Sequence, residues 1–175
     1  MGDEAALDEL REANARFYRA LEQLDLPAMD ALWAHEGWVR CVHPGWEILV
    51  GWEAVRQSWE QIFANTRWLR VTPTAVEAMV AGNTGLVVCS ENITATTEGD
   101  VGVAVAQATN VFRKAGEEWR MIHHHASPAP VSVTQPFNGT AQYRPLSTRP
   151  CPRPPGWPSR RGARRRASRP WPCPT

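Results

Sequence analysis

The segment Cys41-Val42-His43-Pro44-Gly45-Trp46 sets an imidazole beside a proline-glycine turn. A histidine has an ordinary pKa of about 6.5, so His43 can serve as a general base near neutral pH; it can equally close the turn by bonding to backbone groups. The second cluster is His123-His124-His125. Alternate residues of a strand share a face, so His123 and His125 could join His43 as three nitrogen ligands of a zinc ion. The sequence places no acid to orient those imidazoles, which favours histidines that cap a pocket or meet solvent, and no metal is expected. Trp119 and Met121 argue that His123 and His125 face inward, Ile122 argues for His124, and the first pair is preferred. Glu91 and Asn92 are neighbours in another β-rich run, where one of them must face the interior. A buried Glu91 with a raised pKa would rival His43 as base, but acids are seldom buried without a partner, and the exposed placement is favoured. Trp33, Trp38, Trp46, Trp52 and Trp59 read as core and pocket wall, with a cage for a cation as the alternative. No G-x-S-x-G, P-loop or dinucleotide glycine motif is present, so serine hydrolase, nucleotidase and dehydrogenase readings have no support.

The elements that must position these groups follow from periodicity. Leu7, Leu10, Phe17, Leu21 and Leu24 recur at helical spacing, with Asn14 in the skipped place, and predict an amphipathic helix over 4–24. Pro27 opens a second, short helix through Met29, Leu32 and Trp33, ended by Gly37. Residues 38–42 are β-rich, Pro44-Gly45 turns the chain, and residues 47–50 return as a hairpin arm. From Gly51 the stripe Trp52, Val55, Trp59, Ile62 and Phe63 predicts a third helix. Four β-rich runs at about 68–80, 84–97, 101–114 and 118–127, with short glycine-marked connections, predict an antiparallel meander.

The formal charge of +1 hides a division. Residues 1–142 hold 10 Lys/Arg against 18 Asp/Glu, whereas residues 143–175 hold 9 Arg and no acid. That final segment also carries nine prolines and few large apolar side chains, so it cannot offset the entropy of ordering and reads as a disordered tail after an extended arm at 131–142. Its arginine clusters could touch nucleic acid, although a solvated tail is favoured, and so abrupt a shift in composition also fits out-of-frame translation of the gene end. The four cysteines show neither zinc-knuckle nor disulfide spacing. With an acidic, helical amino terminus and no membrane-length apolar run, a cytoplasmic protein without membrane partners is expected.

Helix, helix, hairpin, helix and four meandering strands is the order of the nuclear transport factor 2-like fold. Phe17-Tyr18-Arg19-Ala20-Leu21, Leu32-Trp33, His43-Pro44-Gly45-Trp46, Gly51-Trp52-Glu53-Ala54-Val55, Ser58-Trp59, Asn110-Val111-Phe112 and Trp119 to His125 together resemble its SnoaL-like branch, over about residues 5–130. The resemblance implies an α+β cone over 4–130, with three N-terminal helices packed on a strongly curved antiparallel sheet around a blind apolar pocket. It implies a homodimer through the outer face of the sheet, no cofactor, and a small apolar molecule as ligand. Gly102, Ala104, Ala106 and Ala108 alternate along one strand and would leave volume for that guest. Matching to ketosteroid-isomerase relatives puts His43 at their carboxylate base, Phe17 at their tyrosine and Asn110 at their protonated aspartate. Phe17 can donate nothing, so that specific activity is not expected, while Asn110 could still donate to a developing oxyanion. The expected site is therefore His43 and Asn110 as catalytic groups, with Phe17, Trp33, Trp46, Trp59, Phe112, His123 and His125 around the ligand. The expected activity is cofactor-free proton transfer on a ketone-like molecule, of isomerase, cyclase or dehydratase type. A non-catalytic ligand-binding or dimerisation module is the alternative.

Overall fold

The computed structural model describes residues 2–97 and 101–129. Helix α1 spans Gly2–Glu22, α2 Leu26–Leu32 and α3 Trp52–Ala64; the strands are β1 Arg40–Val42, β2 Leu49–Val50, β3 Trp68–Ala81, β4 Thr84–Thr96, β5 Val101–Ala115 and β6 Glu118–Ala129. Three helices pack on one open, curved sheet whose order is β2-β1-β6-β5-β4-β3. The meander β3 to β6 is antiparallel throughout, as its short connections require, and the sheet becomes mixed where β1 adds to β6 in parallel. The expected arm at 131–142 and tail at 143–175 lie outside the described residues.

Helix α1 buries Leu10, Ala13, Asn14, Phe17, Tyr18, Ala20 and Leu21, one face at helical spacing. That face packs across β3 and β4: Leu10 abuts Gly85, Tyr18 reaches Cys89 and Glu91, and Glu22 Oε1 accepts the Val71 amide of β3 at 2.9 Å. Strand β3 is the sheet edge, so the Glu22 contact occupies one of its otherwise free donors. The approach of α1 is close enough to demand glycine at 85, where an added Cβ would stand 2.5 Å from Leu10 Cδ1 and 2.8 Å from Cδ2. Leu10 is fully buried and has nowhere to swing. Gly85→Ala is therefore expected to cost about 1–3 kcal/mol, read as a lowered urea midpoint with an unchanged slope.

Asp25 caps α2 by accepting the Ala28 amide at 2.9 Å, and Pro27 sits in the first turn, where its missing N–H leaves no bond unmade. Beyond α2, Trp33 bridges Met121 and the Ala34 amide donates to the Met121 carbonyl at 2.9 Å, tying this segment to β6. After β1 the chain reverses through Pro44 and Gly45, closed by the Trp46 amide on the His43 carbonyl at 2.9 Å. Gly45 has φ +81°, the left-handed value that a type II turn needs at its third position.

Two bulges interrupt the sheet. In β3, Ala75 and Val76 oppose a single residue of β4, and Ala75 takes φ +50° there. In β6, Val111 pairs with His123 whereas Phe112 pairs with Met121, so Ile122 is an extra residue. An extra residue inverts the alternation of everything after it. Trp119 and Met121 point into the core, and beyond Ile122 it is His124 and Ala126 that do so.

Candidate functional site

His43 follows β1 in phase with Cys41, and both side chains enter the interior. The backbone closes the Pro44-Gly45 turn by itself, and the ring turns inward to Ser58 on the buried face of α3, with Nε2 at 2.8 Å from Ser58 Oγ. Ser58 donates its one hydroxyl proton to the Val55 carbonyl at 2.6 Å, so its oxygen accepts from His43 Nε2–H. That assigns the tautomer and leaves the lone pair on Nδ1, where the Cys41 thiol approaches at 3.9 Å. Trp46 and Trp59 meet the ring edge to face at 5.1 and 4.5 Å between centroids. Burial pulls the His43 pKa down to about 4, so the ring is neutral at pH 7 and free to accept a proton or a hydrogen bond.

The second half of the site is a chain of polar groups across α1, β4, β5 and β6. Asn110 is fully buried; its Nδ2 donates to Asn14 Oδ1 at 2.8 Å and to Tyr18 Oη at 3.2 Å, and its Oδ1 accepts from His124 Nδ1–H at 2.7 Å. Tyr18 donates in turn to Glu91 Oε1 at 2.9 Å, which makes the Cys89 thiol, 3.1 Å from the phenol oxygen, a donor to it. Burial pushes Glu91 up to about 7, against the Tyr18 hydrogen bond, which favours the ionised form. Burial, then the nearby Glu91 charge, raises the Tyr18 pKa and keeps it a phenol. His124 is drawn down to about 3 by burial and then by His43, whose ring centroid is 6.3 Å away. Both imidazoles are thus neutral, each with one nitrogen held by a protein partner. Trp59, whose ring lies 6.0 Å from that of His124, has a buried Nε1–H with no partner among the described residues.

The structure brings together His43, Asn110, Phe17 and Trp59, and places Trp33 and Phe112 in the surrounding core. Trp46 is the half-exposed member, lying across the outer edge of His43. His123 and His125 are not in this interior: the Ile122 bulge puts His124 there instead, and His125 is exposed. Glu91 is likewise buried rather than exposed, because Tyr18 supplies the partner that burying an acid requires. Asn110 has both amide hydrogens committed, so it orients Tyr18 and His124 and has no donor left for an oxyanion.

Of the alternating small residues on β5, Ala106 and Ala108 face inward and Gly102 and Ala104 are exposed. The two buried alanines pair with Glu91 and Cys89, and the space they leave is taken by the Tyr18 phenol bonded to both. Phe17, Trp33 and Phe112 are at most 1% exposed, so the interior is filled by side chains. Sequence reasoning missed Ser58, the partner of His43, and Tyr18 and Asn14 on α1. The signal of the last two was helical spacing: polar groups four apart, continuing the buried row that starts at Leu10. Among the described residues, no three His, Cys, Asp or Glu converge to hold a metal ion, and no helix is long and apolar enough to cross a membrane.

Residues 10–132 match the SnoaL-like domain family model. A candidate dehydratase of the nuclear transport factor 2-like family from Streptomyces avermitilis is 36% identical, with a TM-score of 0.69 over 73% of this chain and 99% of its own. A candidate calcium/calmodulin-dependent protein kinase type II association domain from Thiobacillus denitrificans is 32% identical, with a TM-score of 0.58 over 67% of this chain and 93% of its own. The F-box protein SKIP8 of Arabidopsis thaliana is 28% identical over 114 residues, and the chain spans 47% of that protein's length. With the family model covering most of the chain and a relative alike from end to end, this protein belongs to the SnoaL-like domain family, within the nuclear transport factor 2-like superfamily.

Proposed function

We propose that this SnoaL-like protein is a cytoplasmic small-molecule pocket enzyme that moves protons without a cofactor, as an isomerase, cyclase or dehydratase of a small apolar ketone-like compound. The observation that carries this reading is a pair of buried titratable groups pushed apart by their surroundings. His43 is neutral with its Nδ1 lone pair met only by the weak Cys41 thiol at 3.9 Å, and Glu91 sits near the pH at which a general acid or base works best. His43 Nδ1 takes the proton next to the carbonyl, and Glu91 serves as the second proton reservoir through Tyr18. Asn110 holds Tyr18 and His124 in place. Phe17, Trp33, Trp59 and Phe112 are the apolar surroundings, and Trp46 is the side chain that must move to admit a guest. Burying ionisable groups costs stability that apolar packing would not, which favours a chemical role for them. The 36% identical relative is itself a candidate dehydratase, and Cys41 and Cys89 both stand free, as suits a reducing compartment.

Hydrogen–deuterium exchange at the α-carbon of 2-tetralone in D2O, followed by NMR, tests this reading. The protein is expected to accelerate exchange with an apparent pKa near 7, and His43→Gln and Glu91→Gln to abolish the acceleration while remaining folded. Exchange no faster than in buffer at any pH would sink the enzymatic reading.

A second reading, a dimerisation or ligand-binding module, draws on the filled interior and on the apolar outer face of β5, where Val101 and Val103 are 69% and 66% exposed. On this reading two copies pack through that face. Wild-type protein is then expected to run as a dimer in size-exclusion chromatography with light scattering, and Val103→Glu as a monomer.

A further inference from the structure

Outside the interior, α1, α2 and the start of β6 enclose a separate cavity of about 340 Å³. Its floor is apolar, made by Ala20, Ala28, Ala31, Leu32 and Trp119, and Arg16, Arg19 and Arg120 come to its walls. The guanidinium groups are not equivalent. Arg19 is paired with Glu12 at 2.6 Å. Arg120 is held by Glu118, which also lines the cavity, and by the Ala31 carbonyl at the end of α2. Arg16 makes no ion pair among the described residues, and the one acid its charge acts on, Glu12, is already bonded to Arg19, so the wall keeps a net positive charge. Arg16 and Arg19 project together because they stand three residues apart on α1, and Gln23, just past its end, follows in line with its amide on the Arg19 carbonyl at 3.0 Å. The two arginines held by acids are fixed in place, which lowers the entropic cost of presenting their remaining N–H groups to a ligand.

We propose that this cavity binds a small organic anion with an apolar body, a carboxylate of aryl or branched alkyl type. The alanine, leucine and tryptophan floor would cover the body, and the carboxylate would meet Arg16, the natural bidentate partner of that group. The volume lies at the low end of the range for small-molecule sites, about 300–1,000 Å³, and so suits a guest of one ring. Residues 130–175 contain no Asp or Glu side chain, so the chain's own C-terminal part offers no carboxylate side chain to fill the site. The proposal does not depend on chemistry at His43 and Glu91, and either can fail without the other.

Isothermal titration of the full-length chain with phenylacetate, benzyl alcohol and inorganic phosphate tests it, with Arg16→Ala and Arg16→Lys alongside wild type. Phenylacetate is expected to bind wild type saturably, at one molecule per chain, and to weaken as salt is added. Arg16→Ala should bind about tenfold more weakly and Arg16→Lys should fall between the two, because a lysine keeps the charge and loses the fork. Arg16 is exposed and its loss should leave the melting temperature unchanged, so weaker binding cannot be put down to unfolding. Benzyl alcohol binding as tightly as phenylacetate would overturn the anion requirement, and phosphate doing so would overturn the apolar one. Equal affinity of wild type and Arg16→Ala would place any binding elsewhere, with the arginine-rich C-terminal part as the alternative seat, and would overturn the proposal.

Discussion

Asn110→Ala is expected to destabilise the protein by about 4 kcal/mol, as much as truncating a buried aromatic side chain. Three hydrogen bonds end on this side chain, which has no contact with water. Its removal strands His124 Nδ1–H, Asn14 Oδ1 and one bond of Tyr18 in a medium where each unmet polar group costs about 1–3 kcal/mol, and it adds the cost of the cavity. Partial relaxation keeps the total below the simple sum. The midpoint of urea unfolding should fall, and a double-mutant cycle with Asn14→Ala should be strongly non-additive because the two share one network. A loss under about 1 kcal/mol would mean that the network contributes little to stability.

The second large effect is a stability maximum near pH 6.5, with limbs set by different residues. The ordinary pKa values are 4.5 for glutamate and 6.5 for histidine. Glu91 is raised on folding to about 7, so its contribution is complete below pH 4.5 and is lost as pH climbs through 7, a change of about 3 kcal/mol. His43 and His124 are depressed to about 4 and about 3, so their contribution is present above 6.5 and is lost as pH falls. Between 6.5 and 4.5 the unfolded chain binds two protons that the folded imidazoles refuse, while folded Glu91 keeps one that the unfolded chain has released. The net of one proton gives a slope of about 1.4 kcal/mol per pH unit, stability falling toward acid. His123, whose pKa burial also lowers, steepens the same limb. Glu91→Gln keeps an acceptor for Tyr18 and removes the opposing proton. The acid limb should then roughly double in slope, and the decline from 6.5 to 7 should vanish. Urea midpoints measured across pH 4.5–8 read both changes, and an unaltered profile in Glu91→Gln would place the titration elsewhere.

The fold was legible in the sequence because each element announces itself over many residues. The stripe from Trp52 to Phe63 and the four β-rich runs separated by glycine turns leave few alternatives, and the structure follows them to within a few positions. The site was legible only where local chemistry fixes it. His43 enters the interior as alternation from Cys41 requires, with Pro44 and Gly45 turning the chain behind it. Which histidine of His123-His124-His125 joins it depends on Ile122, and a bulge of one residue leaves no trace in hydrophobic alternation except the very conflict among Trp119, Met121 and Ile122 that the sequence presents. Glu91 was misplaced for a different reason. Whether an acid is buried depends on a partner, and Tyr18 lies 73 positions away in the chain. Such a pairing is invisible to any periodicity and appears only when α1 is laid across β3 and β4.

The parallel joining of β1 to β6 has a consequence for how the interior comes into being. Each meander strand meets its successor across a short connection, but Cys41 stands opposite His124, 83 positions further along the chain. Closing so long a loop carries an entropic cost, as does the Asn14–Asn110 contact 96 positions apart. The two imidazoles are therefore neighbours only through a long-range closure, and a chain cut short of β6 would carry every helix while lacking His124 beside His43.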